Sequence, residues 1–228
     1  MSFTDSGNGY QLPYDSSSEE LRIAFMVRRM VDKLDTMKLV KVTNVRTGGG
    51  GAVAGTGTVD VQLLVSQLDG ATPPNPTPRG IVTNIPWSRV AGGKNAIICD
   101  PAVGDIGFVV AADRDISLVK KTFGQSNPGS RRKFSISDGV YVSMAMNVTP
   151  TQYLVFTSTG VRLVDKNGNS VAMSSSGIAW TDAYGNVLQS GSSGFVVTTS
   201  GDFVVNGISV TKHVHSDPQG GETGPPIG

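Results

Sequence analysis

The chain has 228 residues, a length that suits one large domain or two modest ones, each able to bury a core. Charged residues make up 16% of the sequence and the formal net charge is +1, which argues against electrostatic binding to nucleic acid or an anionic membrane. Cys99 is the single cysteine, so an intrachain disulfide is excluded.

The local patterning indicates an all-β protein. Gly contributes 29 residues, and Gly and Asn tolerate the positive φ angles that hairpin turns require. No apolar run approaches about 18 residues, which excludes a transmembrane helix. The polar N-terminus lacks the charged-then-apolar order of a signal peptide, so we expect synthesis in a cytoplasm without passage through a translocon.

One helix is predicted near the N-terminus, after a polar and flexible arm over residues 1–20. Two overlapping Ser-x-x-Glu capping boxes begin at Ser16 and Ser17. The helix is expected to run to about Met37, because apolar residues recur at helical spacing: Leu21, Ala24, Val27, Met30, Val31 and Leu34.

Short strands follow the helix, at about residues 39–45, 59–65, 81–87 and 106–111. A Gly-rich hairpin tip, Gly48–Gly57, is predicted between the first two. Short strands around one helix predict a small barrel of the OB-fold type over residues 21–125. The polar residues 126–134, with adjacent Pro and Gly, form the predicted linker, and the charge run within them, residues 131–133, is interpreted as solvated.

An internal repeat occupies the second half of the chain. Residues 160–169 recur as residues 177–186, and a degenerate third copy begins at Gly194. Each copy predicts a strand, a Gly-Asn turn, a second strand and a Ser/Gly corner, which is typical of a stacked β architecture. The repeat has few large apolar residues, so one copy cannot bury enough surface to offset the entropy of ordering its backbone. Three chains wound about one axis, or a β-sandwich packed on the first domain, would solve this.

The only two histidines, His213 and His215, stand one residue apart near the end of the chain. In an extended segment both imidazoles lie on one face and are able to grip one metal ion. Two ligands fall short of the usual four of a closed structural site, so copies of the same chain are expected to supply the rest. The alternative is a solvated pair in a flexible tail.

Three groups of residues resemble the central, membrane-piercing baseplate spike proteins of contractile-tailed bacteriophages. They are the barrel segments 100–107 and 112–117, the repeated Gly-x-x-x-x-Asp-x-x-Gly-Asn units, and His213-Val214-His215 followed by the Gly- and Pro-rich residues 220–226. The resemblance implies an all-β homotrimer with an OB-fold-like collar. An intertwined trimeric β-helix shaft over residues 135–212 and a metal-binding tip over residues 213–228 would follow.

The resemblance also implies a structural role and no enzymatic activity. His213 and His215 of three chains would give one iron ion six imidazole ligands, an octahedral set that suits iron, cobalt or nickel better than zinc. The expected partners are tail hub or baseplate proteins and, by mechanical contact, the host outer membrane, with no nucleic acid. The protein would be assembled in the host cytoplasm and reside in the virion at the baseplate tip. A receptor-binding tail fibre, a glycan-binding β-repeat protein and a two-histidine metalloenzyme are the alternatives.

Overall fold

The computed structural model describes residues 17–47, 55–68, 73, 75–143 and 149–224. The chain divides into two compact units, Met1–Val148 and Thr149–Gly228. Strands dominate the described residues, which contain one main helix, so the predicted all-β class is confirmed. Within those ranges no helix is long and apolar enough to cross a membrane.

The main helix, α1 (Glu19–Val31), begins one residue after its N-cap, Ser18. The Ser18 hydroxyl accepts a hydrogen bond from the backbone N–H of Leu21 at 3.3 Å, which satisfies one of the free donors of the first turn. The predicted caps were Ser16, which lies outside the described residues, and Ser17. The cap is therefore one residue later than the capping-box pattern indicated.

The helix ends at Val31, so the expectation that it runs to about Met37 is wrong. Asp35 accounts for this, because both its backbone and its side chain bond to another part of the unit. Its N–H donates to the carbonyl of Phe134 at 2.9 Å, and its carboxylate accepts from the N–H of Ile136 at 3.2 Å. These bonds hold the chain in a path that continues directly into the first strand.

The other elements of the first unit are short strands and two single helical turns. The strands are β1 (Met37–Arg46), β2 (Thr58–Leu63), β3 (Gln67–Leu68), β4 (Pro76–Thr77), β5 (Ile81–Pro86), β6 (Val90–Gly92), β7 (Asn95–Ile97), β8 (Ile106–Ala111) and β9 (Gly139–Ser143). The helical turns are α2 (Val119–Thr122) and a 3₁₀ turn (Ile136–Asp138). The four strands predicted from the sequence are β1, β2, β5 and β8, with bounds that agree within two residues.

Five of these strands form one antiparallel sheet in the order β5-β2-β1-β8-β9. A parallel bridge between Trp87 and Tyr141 brings the chain after β5 against β9, and the Ser88 N–H donates to the carbonyl of Tyr141 at 3.0 Å. The sheet thereby encloses a buried core: Val40, Val42, Val59, Val61, Leu63, Ile85, Trp87, Val109, Ile136 and Tyr141. Most of the predicted hairpin tip at Gly48–Gly57 lies outside the described residues.

The segment predicted as a linker, residues 126–134, is an ordered part of the first unit. Its Arg132 donates to the carboxylate of Asp115 at 3.0 Å and to that of Asp138 at 3.1 Å. Both aspartates are buried, and a buried carboxylate needs such a partner to remain charged. The Arg132 side chain is 51% exposed, so it is solvated as the sequence indicated and, in addition, pairs with two buried carboxylates.

The boundary between the two units falls after Val148. The sequence placed the start of the shaft at residue 135, but β9 pairs with β8 from Gly107↔Ser143 to Ala111↔Gly139. This strand completes the first sheet, so the residues that follow the predicted linker belong to the first unit.

The second unit is built on a six-stranded antiparallel meander in the order β10-β11-β12-β13-β14-β15. Its strands, each of five residues, are β10 (Tyr153–Thr157), β11 (Gly160–Val164), β12 (Ser170–Ser174), β13 (Gly177–Thr181), β14 (Val187–Gly191) and β15 (Gly194–Thr198). A small hairpin follows, β16 (Val204–Val205) with β17 (Ile208–Ser209). The predicted order of strand, turn, strand and corner is confirmed for the two copies that begin at Gly160 and Gly177, whereas the strand of the third copy, β15, ends the meander.

The repeated turns are closed by an aspartate that accepts hydrogen bonds from its own turn. The Asp165 carboxylate accepts from the N–H groups of Asn167 and Asn169, at 2.9 and 2.8 Å, and from the Asn169 amide at 2.7 Å. One repeat later, Asp182 accepts from the N–H and the side-chain amide of Asn186, at 2.9 and 2.7 Å. These bonds hold the pKa of both aspartates below their usual range.

Candidate functional site

The meander has two faces of different chemistry, which its register defines. Residues directly opposite each other on antiparallel strands share a face, and successive residues alternate between faces. One face, here called the apolar face, carries two rows of side chains in which Ser190 is the one polar member: Leu154, Leu163, Val171, Trp180, Leu188 and Val197 in one row, and Phe156, Val161, Met173, Ile178, Ser190 and Phe195 in the other.

The opposite face, here called the mixed face, combines small, polar and aliphatic side chains. Its central row is Val155, Arg162, Ala172, Ala179, Gln189 and Val196. The mixed face carries the charged Arg162, and the apolar face is almost continuously apolar. This difference is typical of a sheet with one solvated side. The sheet therefore has a defined inside and outside.

The apolar face is exposed in the single chain. Phe156 is 74% exposed and Phe195 77% exposed, and Leu154, Leu163, Trp180 and Leu188 are also exposed. Contiguous apolar patches of this kind on soluble proteins mark surfaces that another molecule covers. A sheet of short strands also needs one covered face for independent stability. The sequence indicated the need for a partner, but the members of this face became visible only through the register.

The two histidines follow β17 and lie side by side. The ring centroids of His213 and His215 are 5.0 Å apart and the ring planes are nearly perpendicular, at 85°. The structure thus brings together the two residues that the sequence singled out. Residues 225–228 of the predicted tip lie outside the described residues.

The hydrogen bond of His213 assigns its tautomer. Nδ1 lies 2.6 Å from the backbone carbonyl oxygen of Ser209, and because a carbonyl only accepts, Nδ1 carries the proton. Neutral His213 therefore presents Nε2 as its free lone pair. An imidazole that donates one N–H to a carbonyl and binds through the other nitrogen is the usual arrangement of a metal-ligating histidine. The surroundings of His213 thus suit a metal ligand.

The backbone around the second histidine is fixed by a small hairpin. His215 donates its N–H to the Thr223 hydroxyl at 2.9 Å, and the Thr223 N–H donates back to the carbonyl of His215 at 2.9 Å. Ser216 and Glu222 form the adjoining bridge. Two strands of the tail thus brace one another, which positions the His215 side chain near that of His213.

A single chain supplies too few ligands for a closed metal site. Within the part of the chain that the structure describes, no group of three or more His, Cys, Asp or Glu side chains is placed to hold a metal ion. Structural metal sites use at least four ligands, so an ion at His213 and His215 needs ligands from other copies of the chain.

Comparison with known proteins identified no relative of this chain. No known family model matches this chain, and no curated protein matches it. The functional interpretation therefore depends on two features of the second unit, the exposed apolar face and the paired histidines.

Proposed function

We propose that the protein is a trimeric, membrane-piercing spike of a phage-type contractile tail. Three meanders form the walls of a three-sided shaft with their apolar faces inward. The first unit is an OB-fold-like collar that docks to tail hub or baseplate proteins. The histidine tip binds one structural iron ion. Sheath contraction drives this needle through the outer membrane of the host.

The exposed apolar face carries the proposal, and its dimensions favour three walls. A five-residue strand spans about 16 Å. In a three-sided shaft of that width the axis lies about 5 Å from each wall, which is half of the roughly 10 Å between packed sheets. A four-sided shaft would place its axis about 8 Å from each wall and leave a void. Two sheets that face each other in a dimer can also pack about 10 Å apart. A measurement of the molar mass distinguishes this dimer from the trimer.

The side chains available to such a shaft are sufficient to fill it. Each strand contributes two residues to the apolar face, so three chains place six side chains at each level. Trp180 lies in the middle of this face, where it would pack in the trimer interface. Burial of apolar side chains contributes about 1.5–3 kcal/mol each, which makes the face a strong driving force for assembly.

The first unit supports the collar assignment by its strand order. The sheet β5-β2-β1-β8-β9 closes through the parallel contact of Trp87 with Tyr141, as a small five-stranded barrel does. Its core is formed within one chain, so a collar can present a rigid surface to a hub while the shaft assembles from three chains.

The tip supports an octahedral metal site by the chemistry of its donors, and iron is one of the ions that such a site suits. A threefold axis near His213 and His215 brings six imidazole nitrogens together, and the Ser209 carbonyl fixes the ligating nitrogen of His213 as Nε2. The ion, when bound, supplies six bonds that join three chain ends. These bonds would oppose fraying of the termini under load, because a ligand that binds only the folded state stabilises it.

Mass and metal content test the proposal together. Light scattering on the purified protein is expected to give three times the chain mass of 23.8 kDa, and metal analysis about one iron per three chains. The double variant His213→Ala with His215→Ala should lose the iron and keep the trimer, because the apolar face is unchanged. Lys212→Ala is the matched control and should keep both.

Two results would contradict the proposal. A monomer at micromolar concentration removes the shaft, since the apolar face would then have no partner. Iron retained in the double variant shows that the ligands lie elsewhere in the chain.

A further inference from the structure

The two edges of the meander differ in chemistry. One, here called the turn edge, consists of the aspartate turns at residues 165–169 and 182–186. The other, the corner edge, consists of the Ser and Thr corners at residues 158–159, 175–176 and 192–193. Because strand direction alternates, the turn at residues 182–186 lies about 4.8 Å along the stack from the corner before it and from the corner after it.

A groove lies on the corner edge, in the gap between two corners. It is lined by Ser175, Ser176, Gln189, Ser192, Ser193 and Val196. Gln189 and Val196 face each other on the mixed face, so the groove opens on that side of the sheet. In the proposed shaft the mixed face is the outer one. The groove is therefore open to a neighbouring chain that extends past the vertex where the two sheets meet.

The turn edge carries a large side chain at the height of this groove. Tyr184 is 85% exposed, and its N–H is held by the Asp182 carboxylate at 2.9 Å. The equivalent residue one repeat earlier is Asn167, whose N–H bonds to Asp165 in the same way. The turn thus forms without an aromatic residue, and the tyrosine is not explained by local structure.

We propose that Tyr184 of each chain docks in the corner groove of the next chain, an inference that rests on the proposed trimer. The proposed threefold axis runs along the stack of strands, so rotation about it leaves the position of each residue along the stack unchanged. The turn at residues 182–186 of one chain therefore lies opposite the gap between the corners at residues 175–176 and 192–193 of the next chain. At each vertex of a three-sided shaft, a sheet that extends past its neighbour reaches the outer side of that neighbour, where the groove opens.

The chemistry of the two surfaces is complementary. The aromatic ring packs on Val196 and the edge of the sheet, and the phenol hydroxyl exchanges hydrogen bonds with the serine hydroxyls. Tyrosine is enriched in interfaces for this combination of an apolar body and a polar end. The contact is head-to-tail, and three such contacts close the ring.

Interchain disulfides test the register of this contact. In a Cys99→Ser background, Tyr184→Cys is combined with Ser193→Cys, and mild oxidation is expected to give a covalent trimer on a non-reducing gel. Thr159→Cys replaces Ser193→Cys in the control, because residue 159 lies three strand spacings, about 14 Å, from the height of residue 184. A disulfide requires Cα atoms within about 7 Å, so the control should remain uncrosslinked. Within one chain the paired cysteines lie on opposite edges, about 16 Å apart, which prevents an internal bridge.

The second variant is Tyr184→Asn, which inserts the residue that the preceding turn already uses. Circular dichroism should be unchanged, and dilution should dissociate the variant trimer at a concentration at least tenfold higher than the wild type. A trimer by light scattering that shows no Tyr184→Cys/Ser193→Cys crosslink, or equal crosslinking of the control pair, overturns the docking but leaves the trimer. A monomeric wild type overturns the trimer itself.

Discussion

At the level of single residues, Asp60 is the best-connected carboxylate of the first sheet. It is buried and pairs with Arg46, whose guanidinium approaches it through both terminal nitrogens. It also accepts from the Asn44 amide at 3.2 Å and from the Asn84 N–H at 3.1 Å. The hydrogen bonds from Arg46, followed by those from Asn84 and Asn44, outweigh desolvation and lower the pKa of Asp60 to about 2.

The substitution Asp60→Asn is expected to destabilise the protein by about 2 kcal/mol at neutral pH, because it removes charge-assisted hydrogen bonds from a buried site. The pKa of Asp60 is lower in the folded state than in the unfolded chain. Its contribution is therefore fully present above about pH 4 and is lost as the pH falls through about 2. Urea unfolding should show the largest difference from wild type at pH 7 and a smaller one at pH 2.

Asp113→Asn is the matched control for this substitution, because the Asp113 side chain is 74% exposed. Its effect is expected to stay within about 0.5 kcal/mol at either pH. Equal stability of the two variants would show that the Asp60 cluster does not stabilise the sheet.

At the level of elements, the glycines at the corners of the repeat set the geometry of the meander. Gly177 has a φ of +118°, and a Cβ built on it would lie 1.7 Å from the carbonyl oxygen of Ser190. Gly177→Ala is therefore expected to cost more than about 3 kcal/mol, since both backbone strain and displacement of β14 oppose it. Thermal unfolding of the second unit measures this loss.

Gly185→Ala is the comparison that separates strain from collision. Gly185 has a φ of +86° but open space around its Cβ position, so its substitution carries the backbone cost alone, about 1 kcal/mol. If Gly177→Ala were no more destabilising than Gly185→Ala, the close approach of β13 and β14 at this corner would be refuted.

The elements that sequence reasoning predicted well are those whose cause is local. The repeat turns follow from Asp and Asn at fixed spacing, and the aspartate closes the turn through its own neighbours, as at Asp165. The helix end and the linker were wrong because their cause is distant in sequence. Asp35 bonds to residues 134 and 136, and Arg132 bonds to Asp115, so tertiary contacts decide the path in both places.

At the level of the whole molecule, the candidate site was predictable in part. The spacing of His213 and His215 alone predicted that their side chains bind one metal ion, and the structure places their rings side by side. The apolar face was not readable from the sequence, because its rows combine residues from six strands. A shift of one residue in any pairing would move that strand's apolar side chains to the opposite face. The Nδ1 bond of His213 likewise depends on the position of the Ser209 carbonyl.

The direction in which the walls face can be tested with two neighbouring residues of β12. Val171 lies on the apolar face and Ala172 on the mixed face, and both are partly buried in the single chain. An aspartate at position 171 would place a carboxylate without a partner in the core of the proposed shaft, at a cost of several kcal/mol per chain. The proposed trimer therefore predicts that Val171→Asp gives monomers by light scattering at a concentration where the wild type gives trimers.

Ala172→Asp introduces the same charge one residue further along the same strand. On an outward face the carboxylate stays hydrated, so this variant should keep the proposed trimer and its proposed iron. The opposite pattern, with Ala172→Asp dissociated and Val171→Asp intact, would mean that the walls face the other way. Both variants place the same carboxylate in the same strand, so their difference reports the facing of the sheet together with the larger loss of β propensity at position 171.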